Sequence, residues 1–273
     1  MLQQTIKSSI QLKGIGLHSG KQCCLTLKPA DVDTGILFYR DGKGRIPLSS
    51  LSVVNTKLAT VIGKTNPVND KCLNCISTIE HLLATLHGLH IDNLVIEAST
   101  EELPIFDGSA KIFLDAILDV GIEKQSKQKL FKYIEKDFLT TKESSYIFAT
   151  PYNGLILDIT IKFDHPLIGH QHFIYDVFKN DFTTIANART FSTIDQILYA
   201  KKAGLIKGGN VDNAIILNKK GVLNGNLRYK DEFVRHKVLD LLGDLYIDGP
   251  IKGYIEACCT GHYLNHKLML ALN

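Results

Sequence analysis

No stretch of this 273-residue chain approaches the run of about 20 apolar residues that a membrane-crossing helix needs. Charge of one sign is equally scarce. A net charge of +3 is too small to favour nucleic acid, the lysines are scattered outside residues 124–136, and no interleaving of aromatic and basic residues suggests an RNA-binding module. The opening residues, Met1-Leu2-Gln3-Gln4-Thr5-Ile6-Lys7, lack the basic-then-apolar layout of a secretory signal, so a cytoplasmic location is expected. A disulfide framework is also missing. The six cysteines fall as Cys23-Cys24, Cys72-x-x-Cys75 and Cys258-Cys259, and no second pair follows Cys72 and Cys75 at zinc-finger spacing. They read as free thiols, buried or incidental, in a reducing compartment. What is present is an ordinary globular composition, 45% hydrophobic and 22% charged, long enough for one large domain or two of usual size.

Periodicity predicts an α+β chain. Alternating or β-rich runs mark strands near residues 6–12, 23–27, 35–39, 58–62, 93–98, 154–161, 171–178, 213–217 and 251–257. Gly14-Ile15-Gly16-Leu17-His18-Ser19-Gly20 reads as a flexible hairpin connection. Helices are expected from Ser77, with Ser77 and Glu80 at capping-box spacing, and over residues 192–202, with Ser192 and Asp195 as the box and Gly204 as the stop. Two more are expected after Asp231 as N-cap and over residues 264–270. A polar, apolar-poor stretch at 124–129 suggests a linker between residues 1–123 and 130–273. Both sides of it run strands, then a His-x6-Gly helix (His81/Gly88, His236/Gly243), then an Ile-Glu-Ala strand (Ile96-Glu97-Ala98, Ile255-Glu256-Ala257). That weak repeat predicts two similar domains, each a layered sheet-and-helix sandwich, packed with a cleft at their interface.

The helix after Asp231 has two faces. Phe233, Val234, Val238, Leu241, Leu242 and Leu245 form a core-facing stripe, while His236, Asp240 and Asp244 stack one turn apart on the other side. Such a stack fits a solvated polar face, and it equally fits a grip on one divalent metal. His81 is off the apolar stripe of its own helix, beside Glu80. Two histidines, one carboxylate and an open fourth position are the usual catalytic zinc set. Glu80 then has the chemistry of a general base for an acidified water, and His262 that of an acid for a leaving amine, oriented by Asp244. These parts describe a hydrolase of an amide or ester.

At these residues the sequence resembles the UDP-3-O-acyl-N-acetylglucosamine deacetylases, zinc amidases of the committed step of lipid A and lipopolysaccharide biosynthesis. The strings that carry the likeness are Gly16-Leu17-His18-Ser19-Gly20, Ser77-Thr78-Ile79-Glu80-His81-Leu82, Ile91-Asp92-Asn93, Pro104-Ile105-Phe106-Asp107-Gly108-Ser109, Ala188-Arg189-Thr190-Phe191 and Gly208-Gly209. Asp231-Glu232-Phe233-Val234-Arg235-His236-Lys237-x-x-Asp240-x-x-Gly243-Asp244 and Gly261-His262-x-x-Asn265-x-Lys267-Leu268 complete them, in family order along essentially the whole chain. The resemblance implies His81, His236 and Asp240 as zinc ligands, with iron(II) as a competitor. It implies Glu80 as base, His262 as acid with Asp244 beside it, and Thr190 as an oxyanion stabiliser. It implies Lys237 at the anionic nucleotide end of the UDP-sugar and Phe163 near the uridine, with Phe191 also at the substrate. An inserted βαβ-like segment near 187–217, with Ile197 and Ile206, resembles the family's hydrophobic passage for the 3-O-acyl chain. The implied protein is a monomer without nucleic-acid partners or a transmembrane segment, approaching the membrane at most peripherally. Cys259 departs from the pattern, standing where several relatives carry a basic residue.

Overall fold

In the computed structural model, which describes residues 1–66, 68–69 and 72–273, two large sheets share one strand order. In the first, the hairpin Ile10–Ile15/Gln22–Pro29 and the hairpin Ile36–Arg40/Gly44–Ile46 flank a central strand, Leu94–Ala98. In the second, Phe138–Lys142/Ser145–Thr150 and Leu155–Lys162/His170–Asp176 flank Ile251–Cys258 in the same way, and the short strand Lys132–Tyr133 also pairs with the central one. Each central strand runs antiparallel to the first hairpin and parallel to the second. The two Ile-Glu-Ala strings occupy these central strands, where alternate residues are buried. Their period of two puts one face of each sheet toward apolar packing.

Six α-helices lie among the described residues: α1 (Glu80–Gly88), α2 (Lys111–Val120), α3 (Thr183–Ala186), α4 (Ile194–Lys202), α5 (Glu232–Leu245) and α6 (His262–Ala271). Two apolar clusters support them. One gathers Leu25, Phe38, Ile62, Leu82, Leu86 and Phe113 from the first half with Tyr246 and Ile247; the other gathers Ile147, Leu157, Tyr175, Phe233, Val238 and Leu268 with Ala84 and Leu114. Each cluster therefore draws residues from both halves. The closest approach is between α1 and α5, and Gly243 permits it: a Cβ there would stand 2.0 Å from the backbone oxygen of Glu80. Gly243→Ala is accordingly expected to wedge the two helices apart. Overpacking of this kind costs about 1–3 kcal/mol, and urea unfolding together with metal titration would show both the stability loss and a weakened site.

Several local expectations need correction. Residues 124–129 are not an open linker: Ile122–Gln128 is a strand, paired antiparallel with Leu2–Ile6. Its polar composition reflects exposure, since five of its seven residues are exposed. Ser77 does not cap α1. It ends the strand Cys72–Ser77, Thr78 turns the chain at φ 59°, and the helix begins at Glu80 without a side-chain cap. The box on α4 is Thr193 with Gln196, one residue beyond the expected Ser192 and Asp195. Asp231 stands at the N-cap of α5 but bonds Arg235 instead of the helix backbone. Cys72 and Cys75 are joined as a disulfide, their Cα atoms 5.9 Å apart, so these two are not free thiols; Cys23, Cys24, Cys258 and Cys259 are. The paired sulfurs leave no thiolates for a structural metal.

Candidate active site

Helices α1 and α5 bring His81, His236 and Asp240 together, all three buried. Asp240 Oδ1 lies 3.3 Å from His236 Nε2 and 3.8 Å from His81 Nε2, and the candidate ligand atoms all fall within 4.8 Å of one another. Ligands held tetrahedrally at about 2.0–2.1 Å from one ion sit roughly 3.3 Å apart, so the spacing fits a zinc-sized cation. The donor chemistry fits as well. His236 Nδ1 is 3.0 Å from the Ala188 carbonyl, which accepts a hydrogen bond from Nδ1–H and leaves Nε2 with a free lone pair. Burial lowers both imidazoles, His81 to about 3 with His236 adding to the fall, so neither competes for a proton at neutral pH. Burial alone would raise the Asp240 carboxyl, but His236, Lys237, His262 and His81 hold it well below the carboxylate range. Lys237 Nζ donates to Asp240 Oδ2 at 2.7 Å, which leaves Oδ1 facing the histidines.

A second set adjoins the first. Asp244, one turn beyond Asp240, accepts at Oδ2 from His262 Nδ1 at 2.7 Å and from Asn265 Nδ2 at 2.8 Å. Its Oδ1 accepts from the Thr60 hydroxyl at 2.6 Å. The other ring nitrogen of His262 points toward Glu80, 4.0 Å from Oε1. Glu80 is anchored through Oε2, which accepts from the Thr60 backbone N–H at 3.1 Å. Burial pushes the Glu80 carboxyl up to about 7, against the pull of His262, with Asp244 and Asp240 adding to the rise. Burial by itself would lower His262, but the charge and hydrogen bond of Asp244, helped by Glu80 and Asp240, raise it to about 10. Two titratable groups, one held near 7 and the other near 10, facing one cavity, suit a proton acceptor and a proton donor.

That cavity, of about 490 Å³, is lined by Glu80, His81, His236, Lys237, Asp240, His262, Thr190 and Phe191. Eight of the twelve expected site residues therefore line it, and Asp244 lies behind His262. Phe163 lies outside it, in an adjoining groove with Phe191, Lys237 and Ile206, its ring 5.6 Å from that of Phe191. Ile197 and Ile206 line a separate, mainly apolar cavity of about 230 Å³ that shares Thr190 and Phe191 with the main one. The segment holding them is a βαβ unit: Phe191–Thr193, α4, and Ile215–Asn218 parallel to the first strand. The glycine-rich loop is the expected hairpin connection, and it also carries Leu17 and His18 to the cavity wall. Buried Glu102 accepts from the His18 and Ser19 N–H groups at 2.8 and 2.7 Å, and Gly208 packs so tightly there that a Cβ would meet Gly16 O at 2.3 Å.

Sequence reasoning missed the residues that hold the site from behind. Thr60 looked like a strand residue, and its link to both Glu80 and Asp244 joins segments more than 180 residues apart in sequence. Glu232 and Arg189 were visible only as letters of longer strings. Glu232, fully buried, accepts from Arg189 Nε at 2.8 Å and from the backbone N–H groups of Arg189 and Arg228 at 3.1 and 2.6 Å. The pair fixes the segment Ala188-Arg189-Thr190, which supplies the carbonyl for His236 and places Thr190 at the cavity. Glu232→Gln is expected to lower unfolding free energy by about 3 kcal/mol, because the half-buried Arg189 guanidinium loses its buried counter-charge. Metal affinity is expected to fall with it by roughly 10-fold or more, as His236 loses its fixed carbonyl; denaturant unfolding and chelator competition measure the two.

Comparison with known proteins shows the family. Residues 3–273 match the family described as LpxC, UDP-3-O-acyl N-acetylglycosamine deacetylase. Curated proteins named UDP-3-O-acyl-N-acetylglucosamine deacetylase are similar over nearly their whole lengths. That of Nitratiruptor sp. is 42% identical, covering 100% of this chain and 90% of its own. That of Thermodesulfovibrio yellowstonii is 46% identical over 95% and 88%, and that of Pasteurella multocida 42% over 99% and 89%. With a family match over essentially every residue and relatives this similar at this coverage, the chain belongs to the UDP-3-O-acyl-N-acetylglycosamine deacetylase family.

Proposed function

We propose that this chain removes the N-acetyl group of UDP-3-O-(3-hydroxyacyl)-N-acetylglucosamine, releasing acetate and the free amine in the committed step of lipid A biosynthesis. The observation that carries the reading is the juxtaposition of the His81/His236/Asp240 cluster with the Glu80/His262 pair in one cavity. His81, His236 and Asp240 would hold a zinc ion, for which iron(II) competes. When bound, such an ion supplies Lewis-acid polarisation and an acidified water. Glu80 takes the proton of the attacking water. The carbonyl oxygen gathers charge beside the Thr190 hydroxyl. His262, charged at neutral pH, then gives its proton to the departing nitrogen, so the leaving group is an amine and not an amide anion. Asp244 holds the imidazolium in place, and Asn265 and Thr60 hold Asp244.

Binding follows from the surroundings. Lys237 Nζ, 5.7 Å from the centre of the Phe191 ring, presents a cation to the nucleotide diphosphate, and Phe163 offers a face near the uridine. The apolar cavity with Ile197 and Ile206 takes the acyl chain. We also read the chain as two α+β sandwich domains meeting at the site, near the bounds 1–123 and 130–273, with the strand Ile122–Gln128 going with the first through its pairing to Leu2–Ile6; the matching sheet orders support the division, and we propose a monomer. A cytoplasmic site of action suits a nucleotide-sugar substrate, and no helix among the described residues is long and apolar enough to cross a membrane. The direct test is acetate release from UDP-3-O-acyl-N-acetylglucosamine with and without a strong chelator. Release that stops on chelation and returns with zinc is expected; no release by zinc-loaded protein across several acyl lengths would refute the proposal.

A further inference from the structure

Helix α4 is dressed for two environments. Its inner side closes the apolar cavity through Ile197, and Ala200 is buried at 3% exposure. Its outer side leaves Ile194, Leu198 and Tyr199 at 37%, 53% and 68% exposure. Single exposed apolar residues are unremarkable, but three on one nine-residue helix form a patch. The patch does not stop at the helix. Lys57 Nζ stands 5.9 Å from the centre of the Tyr199 ring, and the next residue, Leu58, is 53% exposed and lines the mouth of the metal cavity. Lys57, Leu58 and Tyr199 also line the groove that holds Phe163, so the outer apolar side chains of α4 border the groove proposed above for the uridine. Nor does α4 need a partner to exist as a helix, since the Thr193/Gln196 box closes its start and Gly204, at φ 76°, follows its end.

We infer that this surface docks on an anionic phospholipid bilayer. The charge around it decides for lipid over protein. Lys201 and Lys202 lie on α4 itself, Lys57 stands against Tyr199, and Lys207 follows five residues after the helix, all exposed, against the exposed carboxylates of Asp195 and Asp212. Lysine is depleted at protein–protein interfaces, whereas lysines at the edge of an apolar patch lay their stems along it and send their ammonium groups to lipid phosphates. The location adds direction. One helix separates the outer patch from the apolar cavity, so an acyl chain leaving the leaflet would cross a single element to reach Ile197 and Ile206. This last step rests on the acyl-bearing substrate proposed above; the docking surface itself does not.

The test is co-sedimentation of the purified full chain with vesicles of phosphatidylglycerol and phosphatidylcholine, against phosphatidylcholine alone. Binding to the anionic vesicles that weakens with added salt is expected. Lys202→Glu should weaken it about fivefold or more, and Leu198→Glu roughly tenfold, with unchanged melting temperatures because both side chains are exposed. Wild-type protein that stays in the supernatant, or that sediments as well as both variants do, overturns the proposal. A concentration-dependent dimer abolished by Leu198→Glu, without vesicle binding, would assign the face to a second copy and overturn it equally. Sedimentation requires no turnover, so acetate release on the same preparations separates a failure of docking from a failure of the proposed chemistry.

Discussion

His236→Ala is expected to reduce bound metal from stoichiometric to trace and to lower acetate release by roughly a thousandfold or more. The variant removes one of the three buried ligands proposed and leaves an incomplete pair: Asp240, with Oδ1 3.3 Å from the lost nitrogen, keeps His81 at 3.8 Å and Lys237 at 2.7 Å. Several kcal/mol of charge stabilisation disappear with the ion, and each 1.36 kcal/mol is about tenfold in rate. Metal analysis after dialysis and steady-state acetate release are the two readouts. If His236→Ala retained both metal and turnover, the His81/His236/Asp240 assignment would be wrong. Mutating either free vicinal pair, Cys23-Cys24 or Cys258-Cys259, should leave metal content at the wild-type level, since neither contributes to the ligand cluster.

Glu80→Gln is expected to behave differently. The amide keeps the size of the carboxyl and can still meet the Thr60 N–H through its oxygen, so metal content should hold while kcat falls about 10²–10⁴-fold, the usual worth of a positioned base. The pH profile gives the sharper reading. Glu80 accepts a proton only when ionised, and burial lifts its carboxyl to about 7. The wild-type rate should therefore climb with pH on the acidic side through a midpoint near or below 7, the bound cation drawing it downward. His262 donates only when charged and is held at about 10, so activity should fall again as pH rises through that value. Glu80→Gln should erase the acidic limb and keep the alkaline one; His262→Ala should do the reverse. A Glu80→Gln enzyme with an intact acidic limb would move the base to another residue.

Much of this molecule was readable from local pattern. The strand alternation, the His-x6-Gly helices and the Ile-Glu-Ala strings depend on periods of 2 and 3.6 that a residue's near neighbours impose. His236, Asp240 and Asp244 were legible as one row because i, i+4, i+8 is a property of the helix alone. His81 and Glu80 were legible as a candidate ligand and a candidate base side by side for the same kind of reason, and the family strings tied them to α5. The errors were local as well. Ser77 and Glu80 have the letters of a capping box, but Thr78 at φ 59° breaks the geometry and sends the Glu80 carboxyl to Thr60. The polar run at 124–129 looked like a linker because an exposed strand paired on one side, here to Leu2–Ile6, needs no apolar alternation.

The sequence by itself therefore determined most of the elements, the candidate ligand types and the family, all of which rest on neighbours in the chain. Only the tertiary structure decided the properties that depend on distance and burial. It put the His81 and His236 rings 5.1 Å apart, made Thr60 the common support of Glu80 and Asp244, and buried Glu232 under Arg189. It also set the proton affinities. Glu80 near 7 and His262 near 10 follow from removal of water and from each group's charged neighbours, and no spacing along a chain encodes either.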